Sequence, residues 1–259
     1  MTRKTEGSSV SHGGKVPAVT IGFWAIKIVA TTLGEVGGNA VSQAMSLGYL
    51  YSTLLFSVAL IILLIAQIRF ARFHSGLYWS LIVATTLTGT TLADFFDRSL
   101  GIGYLGGSSS LLALVVVSLA SWYLSMGSIS VETLWSKKAE MFYWVTIMFS
   151  QTLGTALGDW LADSTGLGFN GSALLICAVL AVLVGLTYCT SVSRTGLFWA
   201  AFILTRPLGA TLANSLDKPL SQGGLGLSDI TLSLALAIVM VVAVILIPQR
   251  AADSRVAPA

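Results

Sequence analysis

Charge is what this sequence has least of. Only 10% of its 259 residues are Asp, Glu, Lys or Arg, against about 25% in a soluble domain. Hydrophobic residues make up 55% and the mean hydropathy is +0.85. So few charges cannot coat a water-facing globule, so the surrounding solvent must be lipid. Cysteine and histidine are nearly absent too. Cys177 and Cys189 share one apolar run, too far apart along a helix to bridge. His12 and His74 fall in a polar tail and a connector, which disfavours a soft-metal site. There is no nucleophile–base constellation, no HExxH and no P-loop, so neither an enzyme nor a cofactor is expected. The net charge of +3 is no sign of nucleic-acid binding, because most Lys and Arg sit in short connectors between apolar runs.

About 20 residues of helix cross the hydrocarbon core of a bilayer. Apolar runs of that size fall at 19–43, 48–68, 77–97, 104–126, 140–163, 170–191, 196–217 and 228–248. They predict an all-α membrane protein with eight transmembrane helices. One set of connectors holds Arg3, Lys4, Lys15, Arg69, Arg72, Lys137, Lys138, Arg194, Arg250 and Arg255, the other only Arg98 and Lys218. By the positive-inside rule both termini are expected in the cytoplasm and the chain in the inner (plasma) membrane. Residues 1–18 read as a disordered tail and residues 250–259 as a second cytoplasmic tail.

Between the tails the chain repeats itself. Trp24, Trp79, Trp144 and Trp199 are each followed ten residues later by Gly34, Gly89, Gly154 and Gly209. Four residues on stand Gly38, Ala93, Gly158 and Ala213, and next to these Asn39, Asp94, Asp159 and Asn214. Leu47-Gly48-Tyr49, Ile102-Gly103-Tyr104 and Leu167-Gly168-Phe169 follow in register, with a looser Gly223-Gly224-Leu225. The boundaries are 19–74, 75–138, 139–194 and 195–249, forming one membrane domain. Two spans per repeat make four parallel tandem helical hairpins, pseudo-symmetric about the membrane normal. Four tandem two-helix units, each with a characteristic Trp, resemble a family of bacterial membrane proteins catalogued as a repeat of unknown function. The resemblance covers the whole chain after the tail; it implies this architecture and no activity.

The two helices of each repeat differ in kind. The second helices are nearly pure hydrocarbon, as in Leu50–Ile68, and belong against lipid. The first carry polar residues at four-residue steps: Lys27, Thr31, Glu35, Asn39 and Gln43; Thr86, Thr90, Asp94 and Arg98; Gln151, Thr155, Asp159 and Asp163; Arg206, Asn214 and Lys218. Such a row drifts by about 40° per step on an α-helix, so all five positions of repeat one share a face only if the helix tilts. Gly34/Gly38, Gly89, Gly154/Gly158 and Gly209 mark packing seams where backbones approach closely. First helices are therefore expected inside, around a polar axis, with second helices outside. Trp24, Trp79, Trp144 and Trp199 are expected as interfacial anchors.

A charge at the bilayer centre costs about 2.5 kcal/mol or more, so the deep charges need a reason. Glu35, Asn39, Asp94, Asp159 and Asn214, with Thr31, Thr86, Thr90, Gln151 and Thr155, offer hard oxygen ligands. These suit a proton, an alkali ion, Mg²⁺ or Mn²⁺, with Asp94 and Asp159 the candidate metal ligands. Lys27 and Arg206 are expected to pair with Glu35, Asp94 or Asp159. The reading is a small-cation transporter whose partners are the lipid bilayer and a small ion or solute. The alternatives are transport of an anion or zwitterion held by Lys27 and Arg206, or a non-transporting scaffold or sensor.

Overall fold

A computed structural model describes residues 14–134 and 136–252; Arg3, Lys4, His12 and Arg255 lie outside them. The described residues form eight long α-helices and no β-strand: α1 (Ile21–Asn39), α2 (Tyr49–Arg69), α3 (Ser75–Asp94), α4 (Gly103–Met126), α5 (Lys137–Asp159), α6 (Gly168–Cys189), α7 (Arg194–Asp217) and α8 (Asp229–Leu246). The odd-numbered helices each start on a side-chain cap: Thr20, His74, Ser136 and Ser193 accept from a backbone N–H three residues on. The even-numbered helices have no such cap. Gly48, Gly103 and Gly168 at the starts of α2, α4 and α6 take φ of 79°, 75° and 63°, a left-handed turn that a side chain would strain.

Five helices, α2, α4, α6, α7 and α8, are long and apolar enough to cross a membrane. The even-numbered four are largely exposed, with Leu54, Ile62, Leu174 and Ile245 each more than half accessible. Water would not tolerate so much continuous apolar surface, and the chain is a multi-pass membrane protein. Helices α1, α3 and α5 fall short of the same composition because they carry the polar residues, which are buried inside the protein.

The odd-numbered helices form a closed ring in which α1 packs on α3, α3 on α5, α5 on α7 and α7 on α1. The hairpins expected from sequence open out: α2 packs on α3, α4 on α5 and α6 on α7, and α8 returns to α1. Each second helix thus braces the next repeat. Thr53 and Thr91 meet hydroxyl to hydroxyl at 3.0 Å between α2 and α3, and Ser118 and Thr146 at 2.5 Å between α4 and α5.

One contact recurs around the ring. A Cβ added to Gly34 would lie 2.2 Å from the Cβ of Thr86, and one on Gly89 would lie 3.0 Å from the backbone of Gln151 and Thr152. A Cβ on Gly154 would meet Arg206, and one on Gly209 would meet Thr31. Each glycine therefore makes room for the residue three places before the next glycine in the ring. Gly38 and Gly158 repeat the arrangement one turn on, against Thr90 and Ala210. Thr86 and Thr31 use the closeness to reach the carbonyls of Ala30 and Thr205 on the neighbouring helix, each at 3.3 Å.

The end of the bundle near the termini is aromatic. Tyr78, Trp79, Trp122, Tyr143, Trp144 and Trp199 form one buried cluster with Phe23 and Phe202, and the Tyr78 and Tyr143 hydroxyls meet at 2.6 Å. Edge-to-face aromatic pairs contribute roughly 0.5–1.5 kcal/mol each beyond their buried area. Trp79, Trp144 and Trp199 are at most 3% exposed, so they are interior packing residues and not the interfacial anchors their spacing suggested. Residues 14–18, expected as part of a free tail, pair with 250–252 across this end: Ala18 N–H donates to Arg250 O, and Ala252 N–H to Val16 O. Lys15 is bonded to Glu140 and to the Ile68 carbonyl.

The seams give the first prediction. Gly89→Ala places a methyl group against backbone, which cannot rotate away, and overpacking of this kind costs about 1–3 kcal/mol. Gly185→Ala, on the open face of α6 with nothing within 4 Å, should be neutral or slightly stabilising. Thermal unfolding of the two variants in lipid nanodiscs measures the difference.

Candidate functional site

The ring encloses a column of side chains arranged in layers, one contribution per repeat. The aromatic end is followed by Lys27, Ile82, Ile147 and Phe202, all 0% exposed. The Lys27 ammonium stands 3.9 Å from the centre of the Phe202 ring. It has no hydrogen-bond partner within the protein, and no ion pair joins it to Glu35, Asp94 or Asp159. The expected pairing of Lys27 is not present: about two turns of helix separate it from the Glu35 level, and its ammonium rests on the Phe202 ring instead.

Thr31, Thr86, Gln151 and Arg206 make the next layer, and Glu35, Thr90, Thr155 and Ala210 the one above. Arg206 reaches up to the second. Its Nη2 lies 3.0 Å from Glu35 Oε2 and donates to Thr90 and Thr155 at 2.5 and 2.6 Å. Both hydroxyls are 3.3 Å from the same Glu35 oxygen. Four repeats thus meet in one ion pair with two bridging threonines, and this cluster fills the axis at mid-height.

Asn39, Asp94, Asp159 and Asn214 form the layer beyond and are each 2% exposed. Asp94 and Asp159 are joined by Arg98, whose Nε lies 2.9 Å from Asp94 and Nη2 3.0 Å from Asp159. Asn214 donates to Asp159 at 3.2 Å. Asn39 donates to Asp217 at 3.4 Å and accepts from Gln43 at 2.8 Å. The two carboxylates expected to hold a metal are held by a guanidinium, and no group of three or more His, Cys, Asp or Glu comes together among the described residues. Asp163 is exposed and stands off the axis.

Arg98 reaches the axis because the helix changes type. Directly after Asn39, Asp94 and Asp159 the chain takes one π-helical turn, at Ala40–Ala44, Phe95–Ser99 and Trp160–Ser164. A wider turn slows the rotation per residue, which offsets the drift that four-residue steps accumulate along the preceding α-helix and keeps Gln43 and Arg98 in line with Asn39 and Asp94. Repeat four lacks this turn; α7 runs to Asp217 and stops before Pro219. Sequence reasoning put Arg98 both in a connector and at the end of the second polar row, four residues after Asp94, but gave no sign of its reach to Asp159. It missed Asp217 altogether.

Four tandem segments of the chain, 22–73, 77–128, 142–193 and 197–250, match the family described as Repeat of Unknown Function (DUF347). The chain belongs to this family. No curated protein and no solved structure matches it. Each DUF347 segment contains one odd-numbered helix, or all but its first residues, and the even-numbered helix that follows it, so one family repeat supplies one inner helix and one brace for its neighbour.

The Glu35–Arg206 pair gives the second prediction. Glu35→Gln leaves the Arg206 guanidinium buried without a counter-charge and should destabilise the protein by about 3–5 kcal/mol. Glu35→Gln combined with Arg206→Met removes both charges and should recover most of that loss. Denaturation of the two single variants and the double variant measures the coupling.

Proposed function

We propose that this DUF347 chain is a transporter that moves a small cation along the axis enclosed by α1, α3, α5 and α7. All eight helices span the membrane in this reading, with both termini on the cytoplasmic side of the plasma membrane, where the Lys- and Arg-rich connectors lie. The observation that carries the reading is the Asp94–Arg98–Asp159 bridge. Two buried carboxylates share one guanidinium, which leaves one negative charge over. The side chain of Arg98 is 35% exposed, so it can swing outward while the carboxylates stay. A proton or an alkali ion then takes its place, and Arg98 acts as a tethered competitor for the cation.

Beyond this site the path is closed by the Glu35–Arg206–Thr90–Thr155 cluster and by the aromatic end. Passage requires the cluster to part, which the ring permits by a small rotation of one pair of repeats against the other. A purely structural role is the weaker reading, because apolar packing would stabilise the same ring at least as well.

The test is flux into proteoliposomes, followed with an entrapped pH dye and with Na⁺, K⁺ and Mn²⁺ reporters. Asp94→Asn with Asp159→Asn keeps shape and oxygen but removes the charge. It should lower flux at least about tenfold, corresponding to about 1.4 kcal/mol of lost cation binding, while folding is retained. Arg98→Gln should raise apparent cation affinity. Normal flux in the double variant across a pH series would rule out a cation role for these carboxylates.

A further inference from the structure

The polar atoms of the axis are satisfied unevenly. Glu35 meets Arg206, Asp94 and Asp159 meet Arg98, and Asp217 meets Asn39 and Lys218. Nearer the aromatic end unpartnered donors predominate. Lys27 Nζ, both the Nε2 and the Oε1 of Gln151, and Arg206 Nε and Nη1 are buried with no hydrogen-bond partner within the protein. The three residues are 0% exposed and come from α1, α5 and α7. Gln151 and Arg206 share a layer, and Lys27 lies over Phe202, one helical turn before Arg206.

Charge and donor type together select a ligand. Between the aromatic end and the Asn39–Asp94–Asp159–Asn214 layer, Lys27 and Arg206 face the single carboxylate of Glu35, so with Lys27 protonated this section holds one positive charge over. A buried ion is tolerated when paired and hydrogen-bonded. A monovalent anion cancels the charge; a divalent one such as phosphate would reverse it. An ammonium, two guanidinium nitrogens and a carboxamide N–H₂ form a donor set that a spherical or small planar anion can engage without a directional acceptor of its own.

We propose that Lys27, Gln151 and Arg206 form a binding site for one small monovalent anion of halide or nitrate size. The site is distinct from the cation position at Asp94 and Asp159, from which Arg206 is separated by the Glu35 layer. With the anion bound, the inner cluster of Lys27, Arg206 and Glu35 is charge-balanced.

The experiment reads binding alone, so it stands apart from any transport assay. The full chain in nanodiscs is unfolded thermally while chloride, bromide or nitrate replaces gluconate at constant ionic strength. The unfolding midpoint should rise saturably with each of the three anions. Gln151→Glu supplies an internal carboxylate, and it should shrink the anion-dependent shift at least tenfold while the midpoint in gluconate reaches or exceeds that of the parent protein in chloride. Lys27→Met should also lose the shift. If Lys27→Met does not fold, Gln151→Glu decides alone. A parent protein with no saturable response, or a Gln151→Glu variant with a full one, overturns the proposal. Saturable binding without flux in proteoliposomes would leave this site standing and remove the transport reading.

Discussion

Four helix backbones come close because Gly34, Gly89, Gly154 and Gly209 present no side chain to their neighbours, and the rest of the structure follows from that approach. In lipid there is little hydrophobic drive between helices, so association rests on close packing and on hydrogen bonds that closeness allows. The glycines supply the packing, and Thr31 and Thr86 supply hydrogen bonds to carbonyls on the next helix. With the inner ring this tight, an even-numbered helix finds no place inside it. Each is displaced outward onto the following repeat, where its apolar face meets lipid. The closeness also leaves the inner side chains no solvent, so they must satisfy each other.

That requirement shapes the charge pattern of the axis. Lys27, Arg98 and Arg206 balance Glu35, Asp94 and Asp159 in number but not in position. With Lys27 protonated, the inner cluster has one positive charge over and the outer bridge one negative. Were neutrality within a rigid bundle the only constraint, a Lys27 beside the carboxylates would achieve it at lower cost. The surplus charges of opposite sign stand apart along the axis, about 12 Å of helix from the Arg206 level to the Asn214 level. Departure from fourfold identity is what makes this possible. Identical repeats would carry the same charge at every position of a layer and repel across the axis.

Much of this architecture was legible in the sequence, because duplication writes the same spacing four times. The Trp and Gly registers identified the repeats, and the split between polar and hydrocarbon helices separated inner from outer. The partner of each second helix was not legible: connector length allows both its own repeat and the next, and only the glycine contacts decide. Three of the four tryptophans misled, Trp24 alone being half-buried, since a regular Trp near a span end has the same spacing whether it faces headgroups or an aromatic core. Arg98 was legible as a neighbour of Asp94 but not as a bridge. Its second partner, Asp159, lies on another repeat, and nothing in Phe95–Ser99 announces the π-helical turn there. Pairing of Glu35 with Arg206 followed from burial alone, whereas the isolation of Lys27 did not, because the aromatic face of Phe202 was not counted as a partner.

Closure of the ring between the first and last repeats is the claim on which the axis depends, and a short thiol cross-link tests it most directly. Asn39 and Asp217 touch across the α1–α7 seam at 3.4 Å, while Leu174 on α6 faces outward, 72% exposed. With Cys177 and Cys189 replaced by Ser, Asn39→Cys with Asp217→Cys should cross-link in membranes with a short bifunctional thiol reagent. After cleavage in the connector between repeats two and three, the two halves should stay joined on a denaturing gel. Asn39→Cys with Leu174→Cys should yield separate halves. Separate halves from the first pair, with both thiols shown to be reactive, would contradict a closed ring and with it the enclosed polar axis.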